Sequence, residues 1–322
     1  MVTQRSNIIL TAALLLPLSA HAWWQPTKDL SWQIVLSDTI IPFADVSAID
    51  GDLFGTNAST WSDLKNSGRK AICYFSAGSS ENWRPDFNQF AKSDLGSPLD
   101  GWPGENWLNT KSDNVRRIMT NRMDMAVKNG CDAIDPDNTD AYDNDNGLNL
   151  TTDDAVDYIK FLTSEGHKRG LAVGLKNSGE IVQQVVSDAD FQVNEQCVQY
   201  KECDDFRPFI NANKPVFGIE YVKDTPDQNA IDKICNDESR KDMSTLIKHM
   251  DLGRWVIPCP GQIAWTTSAT SSNAFSNSSS VSASQTSAAS TATPSTGIAA
   301  FSLPQLGGVA FALTSLVTVA LL

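Results

Sequence analysis

Short apolar runs alternate with stretches of helical spacing through the middle of the chain. The runs are WQIVLS (32–37), ADVSAI (44–49), KAICYFS (70–76), CDAIDP (131–136), LAVGLKN (171–177), FQVNEQ (191–196), PVFGIEY (215–221) and RWVIPC (254–259). Rich in β-branched and aromatic residues, they read as strands. Helical spacing marks 114–130, 155–170 and a shorter segment near 243–251, and glycine stands at or just beyond the end of each (Gly130, Gly170, Gly253), a helix-stop signal. Strand–helix alternation argues for a parallel sheet covered by helices. Eight strands favour closure, and residues 23–265 match the length of about 250 residues that a (β/α)8 TIM barrel takes. An open doubly wound sheet is the alternative, but no GxGxxG turn follows any strand to support a dinucleotide site.

The ends of the chain have a different character. Residues 1–22 carry Arg5, the apolar run IILTAALLLPL and the small-residue ending SAHA, the pattern of a secretory signal. Residues 266–297 are dominated by Ser, Thr and Ala, too polar to offset their chain entropy by burial, and read as a disordered, O-glycosylated stalk. Residues 298–322 end in the uncharged tail GVAFALTSLVTVALL. That tail is short for a membrane span, and the small residues upstream fit a lipid-anchor attachment signal. The expectation is a secreted protein, held at the cell surface or wall by a GPI anchor, touching the membrane only through that C-terminal lipid and acting as a monomer.

The formal charge is −13, and setting Arg5 aside leaves −14 between Trp23 and Trp265. Such acidity argues against nucleic acid and toward a neutral or cationic ligand, though alone it is weak, since acidity also serves solubility. Six cysteines (Cys73, Cys131, Cys197, Cys203, Cys235, Cys259) fall in this acidic segment, where export implies disulfides. Fifteen pairings are possible; the expected set is Cys197–Cys203, Cys235–Cys259 and Cys73–Cys131. Sequons stand at Asn57, Asn149 and Asn277. With three histidines, His21, His167 and His249, and no paired CxxC, HExxH or GxSxG, zinc and serine-type hydrolysis find no support. No metal is expected.

In a barrel of this kind the carboxyl ends of the strands converge on the active site, and here those ends are rich in carboxylates. The second strand runs into Asp50, and the third ends in Tyr74 and Ser76. The fourth ends in Asp135, Pro136, Asp137 and Asn138, the fifth in Lys176 and Asn177, the sixth in Asn194 and Glu195, and the seventh in Glu220 and Tyr221. Two carboxyl groups across a cleft are what glycoside hydrolysis needs, one to protonate the leaving oxygen and one to attack or to activate water. Asp137 and Glu195 are the candidate pair, on strands separated by one neighbour. The plainer alternatives are a turn-forming Asp in DPDNTD and a rim salt bridge for Glu195. Asp50, Tyr74, Asp135, Asn138, Lys176, Asn177, Glu220 and Tyr221 are candidate substrate-binding residues. Glu220 is also the reserve acid, and Lys176 is placed to hold Asp135 or Asp137 ionised. Trp83, Trp102 and Trp107, in the long polar loop expected after the third strand, offer faces for sugar stacking, with local packing equally open to each.

The ordered set WQIVLSD, KAICYFSAG, GCDAIDPDNTDAY, GLAVGLKN, NEQC and FGIEY resembles glycoside hydrolase family 114, the endo-α-1,4-polygalactosaminidases, over roughly 30–260. The resemblance implies a (β/α)8 barrel, no cofactor, cleavage of a galactosamine-rich polysaccharide, and catalytic carboxylates at Asp137 and Glu195. By analogy with related barrels, Asp137 is taken as nucleophile and Glu195 as general acid/base. Two other readings stand beside this: a non-catalytic cell-wall polysaccharide-binding protein, and a hydrolase of another α-linked polymer.

Overall fold

The computed structural model describes residues 22–40 and 46–259. The expected signal segment but for Ala22, His21, the start of the second strand, the stalk, the anchor segment and Asn277 lie outside the described residues.

The strands are β1 (Trp32–Val35), β2 (Ala48–Asp52), β3 (Lys70–Ser76), β4 (Ser79–Glu81), β5 (Leu95–Pro98), β6 (Glu105–Leu108), β7 (Ala133–Asp137), β8 (Ala172–Lys176), β9 (Phe191–Glu195), β10 (Val216–Tyr221), β11 (Ser244–Lys248) and β12 (Ile257–Pro258). The helices are α1 (Ala58–Asn66), α2 (Asp113–Asn129), α3 (Thr152–Lys168), α4 (Val182–Val185), α5 (Cys197–Tyr200), α6 (Arg207–Asn211) and α7 (Gln228–Cys235). Strands pair in the order β1-β2-β3-β7-β8-β9-β10-β11, each parallel to the next. This is the curled parallel sheet of a (β/α)8 barrel.

Alternation along the strands divides the core in two. One set, including Trp32, Ile34, Ala48, Ile72, Ala133, Ala172, Phe191, Val193, Phe217, Ile219 and Leu246, packs together inside the sheet. The complementary set, with Ile49, Cys73, Phe75, Ile134, Val173 and Leu175, packs against α1, α2 and α3. Successive strand residues point to opposite faces, so both faces being apolar marks strands buried on each side. The long helices are capped as their sequences direct. Ser112 caps α2, which Gly130 ends in the left-handed region at φ 86, and Thr151 with Asp154 forms a capping box on α3.

The seam between β11 and β1 is joined by side chains. Trp32 Nε1 donates to Ser244 O (2.8 Å) and Ser244 Oγ to Leu30 O (2.7 Å). Lys248 Nζ, wholly buried, donates to Ile34 O (2.8 Å) and Gly253 O (2.5 Å) and contacts Gln33 Oε1 (3.4 Å).

Two expectations are corrected here. The segment near 243–251 is not a helix but β11, the eighth parallel strand. Met243, Leu246, Ile247 and Met250 mimic helical spacing, yet all of Ser244–Lys248 is buried, so periodicity carries no information about the face. RWVIPC supplies only the two-residue β12, antiparallel to β11. The segment after β3 is also more ordered than a loop. Its strands form a small antiparallel sheet, β4-β6-β5, tied to the barrel by Arg84, which binds Asp52 and Glu81, and by Arg122, which binds Asp86 and Ser76 O. The three disulfides are Cys73–Cys131, Cys197–Cys203 and Cys235–Cys259.

Candidate active site

Three neighbouring strands end on charged residues, and each is stopped by a residue in the left-handed region. Asn138 (φ 59) follows Asp137, Asn177 (φ 46) follows Lys176, and Gln196 (φ 63) follows Glu195. Asparagine tolerates that conformation because its short polar side chain bonds locally; Gln196 holds it with its N–H on Ile219 O (2.6 Å). Close approach of β3 finishes the frame. The N–H groups of Ala77 and Gly78 both donate to Asp137 O (2.8 and 3.0 Å), and a side chain at Gly78 would collide with the Asn138 carbonyl.

The charged ends converge on one nitrogen. Lys176 Nζ lies 3.0 Å from Asp137 Oδ1 and 3.0 Å from Glu195 Oε2, so the two carboxylate oxygens are no farther apart than twice 3.0 Å. Asp137 also accepts from Tyr74 OH (2.7 Å) and the Asn138 N–H (2.7 Å). Glu195 accepts from Asn177 Nδ2 (3.1 Å) and from Tyr221 OH. The lysine side chain is 4% exposed while the carboxylates keep 15% and 24%, so the acids face solvent and their shared cation lies below them. Burial works against the Lys176 charge, but Asp137, Glu195 and Asp135 outweigh it and hold its pKa well above the usual value. For Glu195 burial is likewise outweighed, by Lys176, Tyr221 and Asn177, and its pKa is lowered.

Of the candidate substrate residues, Tyr74, Asn177 and Tyr221 turn their polar groups onto the two carboxylates. Asn138 Nδ2 binds Ser76 Oγ (2.8 Å) and Ser79 Oγ (3.2 Å). Asp50 and Asp135 are corrected: both are 0% exposed, below Lys176 and out of reach of any ligand. Glu220 is not brought to the site either. Register sets Glu195 beside Ile219, and two residues on, Tyr221 reaches Glu195, so Glu220 faces the other way. There it accepts the Val198 N–H (2.9 Å) at the start of α5, and burial pushes its carboxyl up to about 7.

Two carboxylates that the strand-end pattern does not mark join the site. Asp140 lies three residues past Asp137, where Asp137, Lys176 and Glu195 all act on it electrostatically, and burial foremost pushes its pKa up to about 6. Glu105, on β6, accepts from Ser79 Oγ (2.6 Å) and is pushed up to about 7 by burial, with Glu81 and Asp137 adding to the rise. Trp83 and Trp102 are exposed (55% and 53%), whereas Trp107 packs with Leu99, Ala141 and Leu150. Of the histidines, His167 pairs with Asp190, and His249 contacts Val222 O. Among the described residues no group of His, Cys, Asp and Glu is arranged to hold a metal ion.

A (β/α)8 barrel with two solvent-facing carboxylates at the carboxyl ends of its strands has the equipment that glycoside hydrolysis uses, and the comparisons place the chain among the glycoside hydrolases. The family model of glycoside-hydrolase family GH114 matches residues 14–264, and the chain belongs to that family. The structure of Aspergillus fumigatus Ega3 in complex with galactosamine is 46% identical, with a TM-score of 0.71, covering 73% of this chain and 97% of that one. The glycoside hydrolase domain of PelA from Pseudomonas aeruginosa shares the fold at 10% identity, with a TM-score of 0.55, covering 70% of this chain and 97% of that one. No curated protein matches the chain.

Proposed function

We propose that this glycoside hydrolase is an endo-acting enzyme that cleaves α-1,4-linked galactosamine-rich polysaccharide, of the galactosaminogalactan type, with Asp137 as nucleophile and Glu195 as general acid/base. The observation that carries the mechanism is the shared Lys176 nitrogen. Retaining enzymes hold their carboxyl groups about 5–5.5 Å apart and inverting ones about 6.5–9.5 Å; two oxygens each 3.0 Å from one nitrogen are kept short of the inverting range, which favours retention. Asp137 then attacks the anomeric carbon while Glu195 protonates the departing oxygen, giving a glycosyl ester on Asp137. Glu195, again a carboxylate, draws the proton from the water that hydrolyses the ester. Once Asp137 is esterified, Lys176 has one carboxylate fewer to balance and favours the ionised Glu195 that this second step requires.

Substrate choice follows from charge and from the relative. Galactosamine is the ligand in the Ega3 complex, and here Asp140 and Glu105 add negative charge beside Asp137, against the cations Lys176 and Arg84 respectively. An incoming ammonium group supplies counter-charge to Asp140 and Glu105, and an N-acetyl group does not. Exposed Trp83 and Trp102 give the polymer faces on which to stack. The signal, stalk and anchor segments would place this activity at the cell surface.

The test is release of new reducing ends from deacetylated galactosaminogalactan and from its fully acetylated form. Cleavage of the first and not the second is the expected result. Binding without cleavage by the wild-type chain would make it a wall-binding protein, and equal cleavage of both would make it a hydrolase of another selectivity.

A further inference from the structure

Beneath the Lys176 ammonium lies a second pair of carboxyl groups, to which the proposed reaction gives no task; any role for them in catalysis rests on that reading of the site. Asp50 on β2 and Asp135 on β7 are both wholly buried. Among the described residues neither carboxyl receives a hydrogen bond from a side-chain donor such as Lys, Arg, Ser or Asn. By strand parity with Ala48 and Ala133 both face the barrel interior, and each carboxyl acts directly on the other. Burial with a like charge alongside forbids ionising both, so one of the two carries a proton. The surroundings are specific. Ile34 of β1 and Ile72 of β3 are the register partners of Asp50, and Tyr74 of β3 is that of Asp135. The charged groups acting on the pair are Lys176 of β8, Asp137 of β7 and Glu195 of β9.

We propose that Asp50 and Asp135 act as one proton-sharing unit whose single negative charge fixes Lys176 in the position from which its ammonium bridges Asp137 and Glu195. The ammonium has three N–H groups, of which two are directed at those carboxylates, and Asp135 is the third charge that holds Lys176 protonated. One charge below is the balanced number. A neutral pair would leave the lysine held only from above, and a doubly ionised pair would draw it down and away from the reacting groups. The titration behaviour agrees with the arrangement. Burial first, then Asp135, raises Asp50 well above the carboxylate range, and burial raises Asp135 to about 7 against the opposing pull of Lys176. Both are positioning residues, since neither reaches the cleft.

The two members of the pair are not equivalent to substitution, and this makes the proposal testable in the full chain. In Asp50→Asn an amide N–H takes the place of the shared proton, and Asp135 keeps its charge. In Asp135→Asn the remaining Asp50 holds its own proton, and the charge below Lys176 is gone. The expected result on deacetylated polymer is a fall in kcat of at least about 30-fold for Asp135→Asn with KM little changed, and a loss at least about tenfold smaller for Asp50→Asn. The basic limb of kcat/KM in Asp135→Asn should also move to lower pH, because Glu195 has lost a negative neighbour. Equal losses in both variants with an unmoved pH profile would mean packing alone and would overturn the proposal, as would full activity in both.

An independent readout covers the case in which Asp135→Asn fails to fold. Isotope-edited infrared spectra of the wild-type chain with labelled aspartate, at about pH 8, above the values of about 6 and about 7 to which Asp140 and Asp135 are raised, should show a protonated carboxylic acid band that Asp50→Asn lacks. Absence of that band in the wild type refutes the pairing. If the wild-type chain cleaves no polymer, the functional reading fails, and the band still decides whether the pair shares a proton.

Discussion

Asp137 and Glu195, on strands that β8 keeps apart, hold the same lysine nitrogen, each at 3.0 Å. The arrangement ties the acid to the nucleophile through one charge, so anything that alters Lys176 alters both. Its consequence for pH can be worked out in sign. Glu195 must be protonated to act as acid, and its pKa in the free enzyme is lowered, chiefly by Lys176 against the opposing effect of burial. Accordingly kcat/KM should fall as pH rises past that lowered value. Removing the ammonium in Lys176→Met should shift this limb to higher pH while lowering kcat about 100-fold or more. A pH–rate series on both proteins checks the pair of effects. A wild-type profile flat through the ordinary glutamate range would contradict the role given to Glu195.

Asp137→Asn and Glu195→Gln should each reduce cleavage about 1,000-fold or more, with the thermal transition nearly unchanged. Neither substitution changes side-chain volume, and both side chains are partly open to solvent. Assays of reducing ends alongside thermal melts decide the matter, and full activity in either variant removes it from the reaction.

Asp140 and Glu105 should govern selectivity for the amino sugar. Their carboxyls titrate at about 6 and about 7, so each becomes a counter-charge for the substrate ammonium as pH rises through that window. KM for deacetylated oligomers should therefore fall between pH about 5 and 7.5, a trend that the Asp140→Asn, Glu105→Gln double variant should lose together with about tenfold in kcat/KM. Steady-state kinetics across that range measure both.

Lys248 closes the barrel seam, and Lys248→Met should cost about 2–4 kcal/mol of stability because it leaves Ile34 O and Gly253 O buried without their donor. Denaturant unfolding of the variant checks this. A change within about 0.5 kcal/mol would mean that the seam is held by Trp32 and Ser244 without it.

How legible the molecule is in its sequence depends on which side of the barrel wall each residue serves. Seven of the eight parallel strands follow from apolar runs because both faces of each are buried, so that apolar residues outweigh the few polar ones such as Gln33, Asp135 and Gln192. The eighth escapes that pattern since STLIK hides a buried lysine whose partners are Ile34, from the far end of the barrel sequence, and Gly253 in the turn that follows. Asp137 and Glu195 stand out as acids at the ends of apolar strands. Glu220 looks the same, and only strand parity separates it: Phe217 and Ile219 fill the barrel interior, so Tyr221, not Glu220, continues that face. Asp140 could have been found from its place three residues beyond Asp137. Glu105 could not, because the small antiparallel sheet that carries it to Ser79 is a tertiary arrangement with no periodic signature.

The stereochemistry of the first product tests the account most directly. Proton NMR of the anomeric signal, recorded during cleavage of deacetylated α-1,4-galactosamine oligomers and before mutarotation, should show the α-anomer first, as two displacements through a glycosyl ester on Asp137 require. Initial appearance of the β-anomer would mean a single displacement by water, and would contradict the joint work assigned to Asp137 and Glu195 around one lysine.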